Sequence, residues 1–302
     1  MIGDALETAE TVARKNQDMR ILSFTHGGLE SFGVLRGEHV QDLGSSDHRT
    51  LSSLLDAEGQ DGLRRRAAAD GPRVPLSGIA FRPPVTAPGK ILCVGLNYKD
   101  HIAEAGLARP DHPSLFVRFP ASLVGHGCPI IRPAVSEQFD FEGELAVIIG
   151  TGGRHIAPDR ALDHVLGVCA MAENSVRDWQ RHASQATAGK NFDASGALGP
   201  WIMTLDEVGD LADLVLTTRL NGVEMQRARL SDLIFPVADL ISYVSRFTRL
   251  EPGDIIATGT PGGVGATRKP PVWMRAGDVL EVDITGLGVL RSTVLDEDQP
   301  QV

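Results

Sequence analysis

From Arg20 onward, apolar and polar residues alternate in short runs. RILSFTH, ESFGVLRG and EHVQDLG, punctuated by Gly27–Gly28 and Gly37, predict a small meander of strands. The 19 residues before it are polar and read as a short helix or a loose arm. TLSSLLDAEGQDGLRRRAAADG has helical spacing and stops at Asp70–Gly71–Pro72. The proline-rich VPLSGIAFRPPVTAPGK then reads as an extended linker. This pattern places a boundary near residue 85, with a small N-terminal β-containing domain over 1–85 and a larger one over 86–302.

In the larger part, KILCVGL (Lys90–Leu96) is an apolar run of strand length, followed by NYKDHIAEAG, a short helix closed by Gly106. FDFEGELAVIIG (Phe139–Gly150) predicts one long strand with a wholly apolar second half. ALDHVLGVCAMAENS predicts a second buried strand that runs into a helical turn, SVRDWQRH. DLVLTTRLNG, GDIIATG and GDVLEVDITGLGVLRSTVL add strands, and PVADLISYVSRFTRL is the clearest helix. Strands and helices do not alternate regularly, which argues against a doubly wound sheet. The expected class is β-rich α+β, a roll or sandwich with few helices.

Charge and composition narrow the function. The 302 residues carry 29 basic and 39 acidic side chains, a net charge of −10, and neither part is basic. Nucleic acid and anionic membrane surfaces are therefore excluded as partners. No apolar run approaches the roughly 20 residues of a membrane span. The N-terminus shows no secretory pattern, so a cytoplasmic protein is expected. Cys93, Cys128 and Cys169 are odd in number and widely spaced, which suits neither a disulfide framework nor a thiolate metal site.

The strongest chemical signal is Asp140, Glu142 and Glu144 in FDFEGEL. Positions i and i+2 of a strand share a face, so Glu142 and Glu144 can converge on one cation, with Gly143 leaving room opposite. A solvated acidic strand face explains the pattern equally well in isolation. The immediate run into ELAVIIG sets the acids at the rim of a core, where uncompensated charge is costly. Glu173 ends another apolar strand; three carboxylates suit Mg²⁺ or Mn²⁺, and Ca²⁺ also fits. Taken alone, Glu173 reads first as a surface or helix-capping acid. His101 and Glu104 lie at i and i+3 on one side of a short helix, as a base and its orienting carboxylate or as a solvated face. TGTPGGVG (Thr258–Gly265) is a loop suited to an anion, or a tight structural turn. Arg177 in RDWQ and Lys190 in AGKNF stand near Glu173 in sequence, to bind an anion or to neutralise the acids. No Gly-x-Ser-x-Gly elbow or Cys–His pair supports covalent hydrolysis.

Taken together and in this order, ILCVGLNYKDHIAEAG, FEGELAVIIG, ENSVRDWQ, GKNF, ALGPWIMT, LNGVEMQ, LEPGDIIATGTPGGVG and GDVLEVDITGLG resemble the fumarylacetoacetate hydrolase (FAH) superfamily over about residues 90–290. Residues 1–85 match only as the variable N-terminal domain of bacterial members. The resemblance implies an FAH-type mixed β-sandwich roll, a homodimer, and a divalent metal on Glu142, Glu144 and Glu173. Position 173 departs from the family pattern, which has Asp there. The resemblance further implies Arg177, Gln180, Gly259 and Thr260 as substrate contacts. It makes Lys190, His101 and Glu104 catalytic, the last two on a mobile lid, with Glu281 as an alternative to the lid glutamate. The substrate class is a small 2-oxo acid. The leading expectation is hydrolysis of a C–C bond in an acylpyruvate, as in aromatic catabolism, through an enolate stabilised by the metal, Lys190 and Arg177. Tautomerisation, isomerisation or decarboxylation of a related 2-oxo acid, such as oxaloacetate or 2-hydroxyhepta-2,4-diene-1,7-dioate, is the alternative. A non-catalytic binding protein is a third reading.

Overall fold

A computed structural model describes residues 19–106 and 108–298. The arm expected before Arg20 lies outside the described residues, apart from Met19. The predicted meander forms as β1 (Arg20–His26), β2 (Leu29–Arg36) and β3 (His39–Asp42). Helix α1 (Leu51–Ala68) follows; the Thr50 hydroxyl accepts from the Ser53 amide and Ser53 reciprocates, a capping box. Gly59, at φ 65°, breaks its helical geometry midway.

The proline-rich stretch is extended, but it is not a free linker. β4 (Arg73–Pro75) pairs with β3, and β5 (Ala80–Arg82) pairs with β1. Next come β6 (Ile91–Gly95), α2 (Lys99–Ala105), β7 (Ser114–Val117), β8 (Leu123–Val124) and β9 (Ile130–Arg132). The long strand expected over 139–150 is two: β10 (Phe139–Asp140) and β11 (Gly143–Ile149). Then follow β12 (Val165–Ala172), β13 (Ser175–Val176), α3 (Arg177–Gln180), α4 (Thr187–Lys190), β14 (Gly196–Thr204) and α5 (Leu205–Val208). The chain closes with β15 (Val215–Leu220), β16 (Val223–Arg229), α6 (Val237–Phe247), β17 (Ile255–Ala257), β18 (Val279–Ile284) and β19 (Gly288–Asp296).

One large mixed sheet runs in the order β4-β3-β2-β1-β14-β12-β11-β17-β6-β7, and a five-stranded sheet runs β16-β15-β18-β19-β9. Strands from both sides of residue 85 share the large sheet, because β1 pairs with β14 (Ile21↔Ile202). β11 is buried along its whole length, and its alternation explains why both of its faces read as apolar. Leu145, Val147 and Ile149 pack with the five-stranded sheet and α6, while Ala146 and Ile148 pack with β1, β2 and α1. The result is a β-rich α+β architecture of two packed sheets with few helices.

The two sheets meet closely at Gly143. A Cβ there would lie 2.0 Å from the Thr218 hydroxyl of β15. The room that Gly143 leaves is therefore filled by the facing sheet, and it fixes where β11 begins.

Candidate active site

The ends of β6, β10, β11, β12 and β17 open into one cavity of about 270 Å³. Its walls include His101, Glu142, Glu144, Glu173, Arg177, Gln180, Lys190 and Thr260. Residues as distant in sequence as Glu142 and Thr260 converge there because β11, β12 and β17 are lateral neighbours.

Glu142 sits in the break between β10 and β11, one residue before the strand. Its carbonyl accepts from the Glu173 amide at 2.8 Å, which carries the ladder past the end of β12. Oxygens of Glu142, Glu144 and Glu173 lie within 4.8 Å of one another, and all three side chains are buried. Asp140 does not join them. Its carboxylate accepts from Arg177 Nε at 2.7 Å and from the Gly265 and Ala266 amides, so it anchors Arg177.

The three acids differ in electrostatic setting. Burial favours the neutral form of Glu142, but Arg177, Lys190 and the Ser175 hydroxyl together bring it down to about 2. Glu144 is pushed well above the ordinary carboxylate range, by burial first and then by the charge of Glu173. Its one hydrogen bond here is from the Gly259 amide, at 2.7 Å. Glu173 is also raised by burial, against the pull of Lys190 and Arg118.

Lys190 spends its three protons on Glu142 (2.9 Å), the Glu173 carbonyl (2.9 Å) and the Glu173 carboxylate. Desolvation alone would lower its pKa, but Glu142 and Glu173 outweigh it and raise it. Lys190 is therefore a fixed ammonium and not a base.

His101 lies over the cavity with a side chain 13% exposed, and its Nδ1 is 3.8 Å from the Glu104 carboxylate. That carboxylate accepts from the Gly263 amide (3.0 Å) and the Thr267 hydroxyl (2.6 Å), which ties α2 down onto the glycine-rich loop. His101 Nδ1 is buried without a hydrogen-bond partner, and Arg177 Nη2 is ion-paired to Glu142 Oε1 at 3.1 Å without a well-aligned hydrogen bond. Gln180 accepts from Arg177 Nη1 at 3.0 Å, which leaves the NH₂ end of its amide as the donor.

Gly259 and Thr260 serve first to hold the acids. The Thr260 hydroxyl donates to the Gly143 carbonyl (3.0 Å) and accepts from Gln226 (2.8 Å). Gly259, at φ 107°, needs to be glycine, because a Cβ would come 2.8 Å from Asn97 Cβ. Glu281 is not brought to the cavity. It lies on β18 in the five-stranded sheet, 3.6 Å from Arg291.

The donor set fits a divalent cation. Four buried carboxylates (Asp140, Glu142, Glu144, Glu173) face three buried cations (Arg118, Arg177, Lys190), so one negative charge is unbalanced, and it falls at Glu144. All-oxygen ligation suits Mg²⁺ or Mn²⁺. Sequence reasoning missed Arg118, which donates to Glu173 at 2.9 Å, and Asn97, Ser175 and Gln226, which brace the strand ends. Each is a single polar residue with no periodic pattern around it.

Residues 90–295 match the family described as fumarylacetoacetate (FAA) hydrolase C-terminal. The chain belongs to this family. The FAH-family chain is 38% identical to the mitochondrial oxaloacetate tautomerase Fahd2a of Rattus norvegicus, with 98% of this chain and 97% of the relative covered. Among solved structures, it resembles the fumarylacetoacetate hydrolase of Exiguobacterium antarcticum, with 36% identity, TM-score 0.78, and 92% and 100% of the two chains covered. It also resembles the maleylpyruvate hydrolase of Sphingobium sp. SYK-6 in complex with manganese(II) and pyruvate, with 28% identity, TM-score 0.75, and 93% and 100% covered. This FAH-family protein is an enzyme, and its carboxylate cluster has the donors to hold a divalent cation.

Proposed function

We propose that this protein is a divalent-metal-dependent tautomerase of a small 2-oxo acid of the oxaloacetate type. This is the alternative weighed in the sequence. C–C hydrolysis, the leading expectation there, is less well supported, because relatives 38–39% identical over 93–98% of this chain are named oxaloacetate tautomerases. That full-length likeness carries the choice.

The residues supply what keto–enol exchange requires. Arg177 Nη2 and the Gln180 amide are donors for the substrate carboxylate. A bound Mg²⁺ or Mn²⁺, held by Glu142, Glu144 and Glu173, would act as a Lewis acid on the 2-oxo group. The Lys190 ammonium gives hydrogen bonds to oxygen and stabilises negative charge developing there. His101, paired with Glu104, takes the proton from the carbon beside the carbonyl and passes it to the enolate oxygen, and runs the same transfer backwards for ketonisation, so the C–H bond lost is balanced by the O–H bond gained. The α2 contact with the glycine-rich loop excludes water, which favours proton transfer over attack by water.

Hydrolysis of an acylpyruvate remains the second reading, favoured by the likeness to a hydrolase crystallised with manganese and pyruvate. The test is to follow the approach of enol-oxaloacetate to its keto form, with Mn²⁺ or with EDTA, beside pyruvate release from acetylpyruvate. Metal-dependent, His101-dependent acceleration of the first supports the tautomerase. Acceleration of the second alone overturns it. The homodimer belongs to the same reading, and sedimentation at twice the chain mass checks it.

A further inference from the structure

Arg118 lies just beyond β7, outside every motif, and does not line the cavity. Its side chain is fully buried, and each of its three nitrogens donates: Nε to Ser122 (3.0 Å), Nη1 to Glu173 Oε1 (2.9 Å) and the Asn174 carbonyl (3.0 Å), Nη2 to Ser195 (3.0 Å). Space was left for it, since a Cβ on Gly196 would come 2.8 Å from Nη2. Glu173 is its one acidic partner among the described residues.

We propose that Arg118 is a positioning residue that makes a glutamate at 173 serviceable as a metal ligand. A glutamate carboxylate has one more rotatable bond than an aspartate and must be held against turning. The guanidinium, held by Ser122, Ser195 and the Asn174 carbonyl, donates through Nη1 to Oε1, while Oε2 accepts from Lys190. Held at both oxygens, the carboxylate is kept from turning, and Arg118 offsets part of the charge that three converging acids bring together. The inference rests on the reading of Glu142, Glu144 and Glu173 as a cation site.

The experiment is a double-mutant cycle read by Mn²⁺ binding, with free Mn²⁺ counted by its paramagnetic resonance signal. Arg118→Met should weaken Mn²⁺ binding by about tenfold or more, the scale of lost outer-shell support. Arg118→Lys keeps the charge but not the fork, and should fall between the two. In a Glu173→Asp background the shorter carboxylate withdraws from the guanidinium, so the same Arg118 substitutions should change affinity by less than about threefold. Equal losses in both backgrounds overturn the proposal, since Arg118 would then act on folding alone. Thermal unfolding of each metal-free variant checks that it is folded, and Arg118→Lys carries the comparison if the methionine variant is not. Absence of Mn²⁺ binding by the unaltered protein refutes the cation reading itself, and the proposal with it.

Discussion

Glu144 has the least help of the three acids, and its behaviour with pH follows from that. A carboxyl whose folded pKa is raised binds its proton more tightly in the folded chain than in the unfolded one. Metal-free stability is therefore full below the unfolded pKa and declines as pH rises toward the folded value. A cation must displace that proton, so Mn²⁺ affinity should rise across about pH 5 to 8. Titrations of binding against pH check this; a flat profile would mean that Glu144 is already charged. Glu144→Gln should abolish Mn²⁺-induced stabilisation and lessen the downward slope of the metal-free melting temperature with pH, the remainder belonging to the raised Glu173 and Asp140. Glu142, held at about 2 by its basic neighbours, contributes no slope in that range. At this scale the sequence was informative wherever acids ended apolar strands. It noted Asp140 beside the ligand acids but could not say what it does, because spacing cannot show that Arg177 and two loop amides take up that carboxylate.

Among the elements, α2 is placed by what lies across from it. Among the described residues, its hydrogen bonds to the glycine-rich loop and the turn after it run through Glu104, to Gly263 and Thr267. Thr267→Val should lower kcat several-fold and shift its pH dependence while leaving Mn²⁺ affinity unchanged, because the dyad loses its fixed geometry and the carboxylate cluster does not. Steady-state kinetics beside binding separate the two. Gly143→Ala should destabilise the protein by about 1–3 kcal/mol by forcing β11 from β15, measurable by denaturant unfolding. The strands and α6 were legible because a period of two or of 3.6 survives in a single sequence. The break at Phe141–Glu142 was not, since apolar and acidic residues continue across it without a turn signal. Nor was the pairing of β5 with β1, because prolines that bound a short strand look the same as those of a linker.

At the scale of the molecule, residue 85 is a seam in composition but not in the sheet. β1 covers the edge of β14, and Leu51, Leu54 and Leu63 of α1 share a core with Ile148, Met171 and Ile255. A chain starting at residue 86 should be insoluble, and the full chain should unfold in one calorimetric transition. A soluble fragment and two separated transitions would establish independent domains. The parallel pairing of β6 with β17 has another consequence. Helix α2 and the glycine-rich loop leave the sheet side by side from the same ends of neighbouring strands, and Glu104 holds the Gly263 amide only while they touch. Any parting of the two would hand that amide to water, so the rate at which its proton is replaced by deuterium reads how often α2 lifts, with no substrate present.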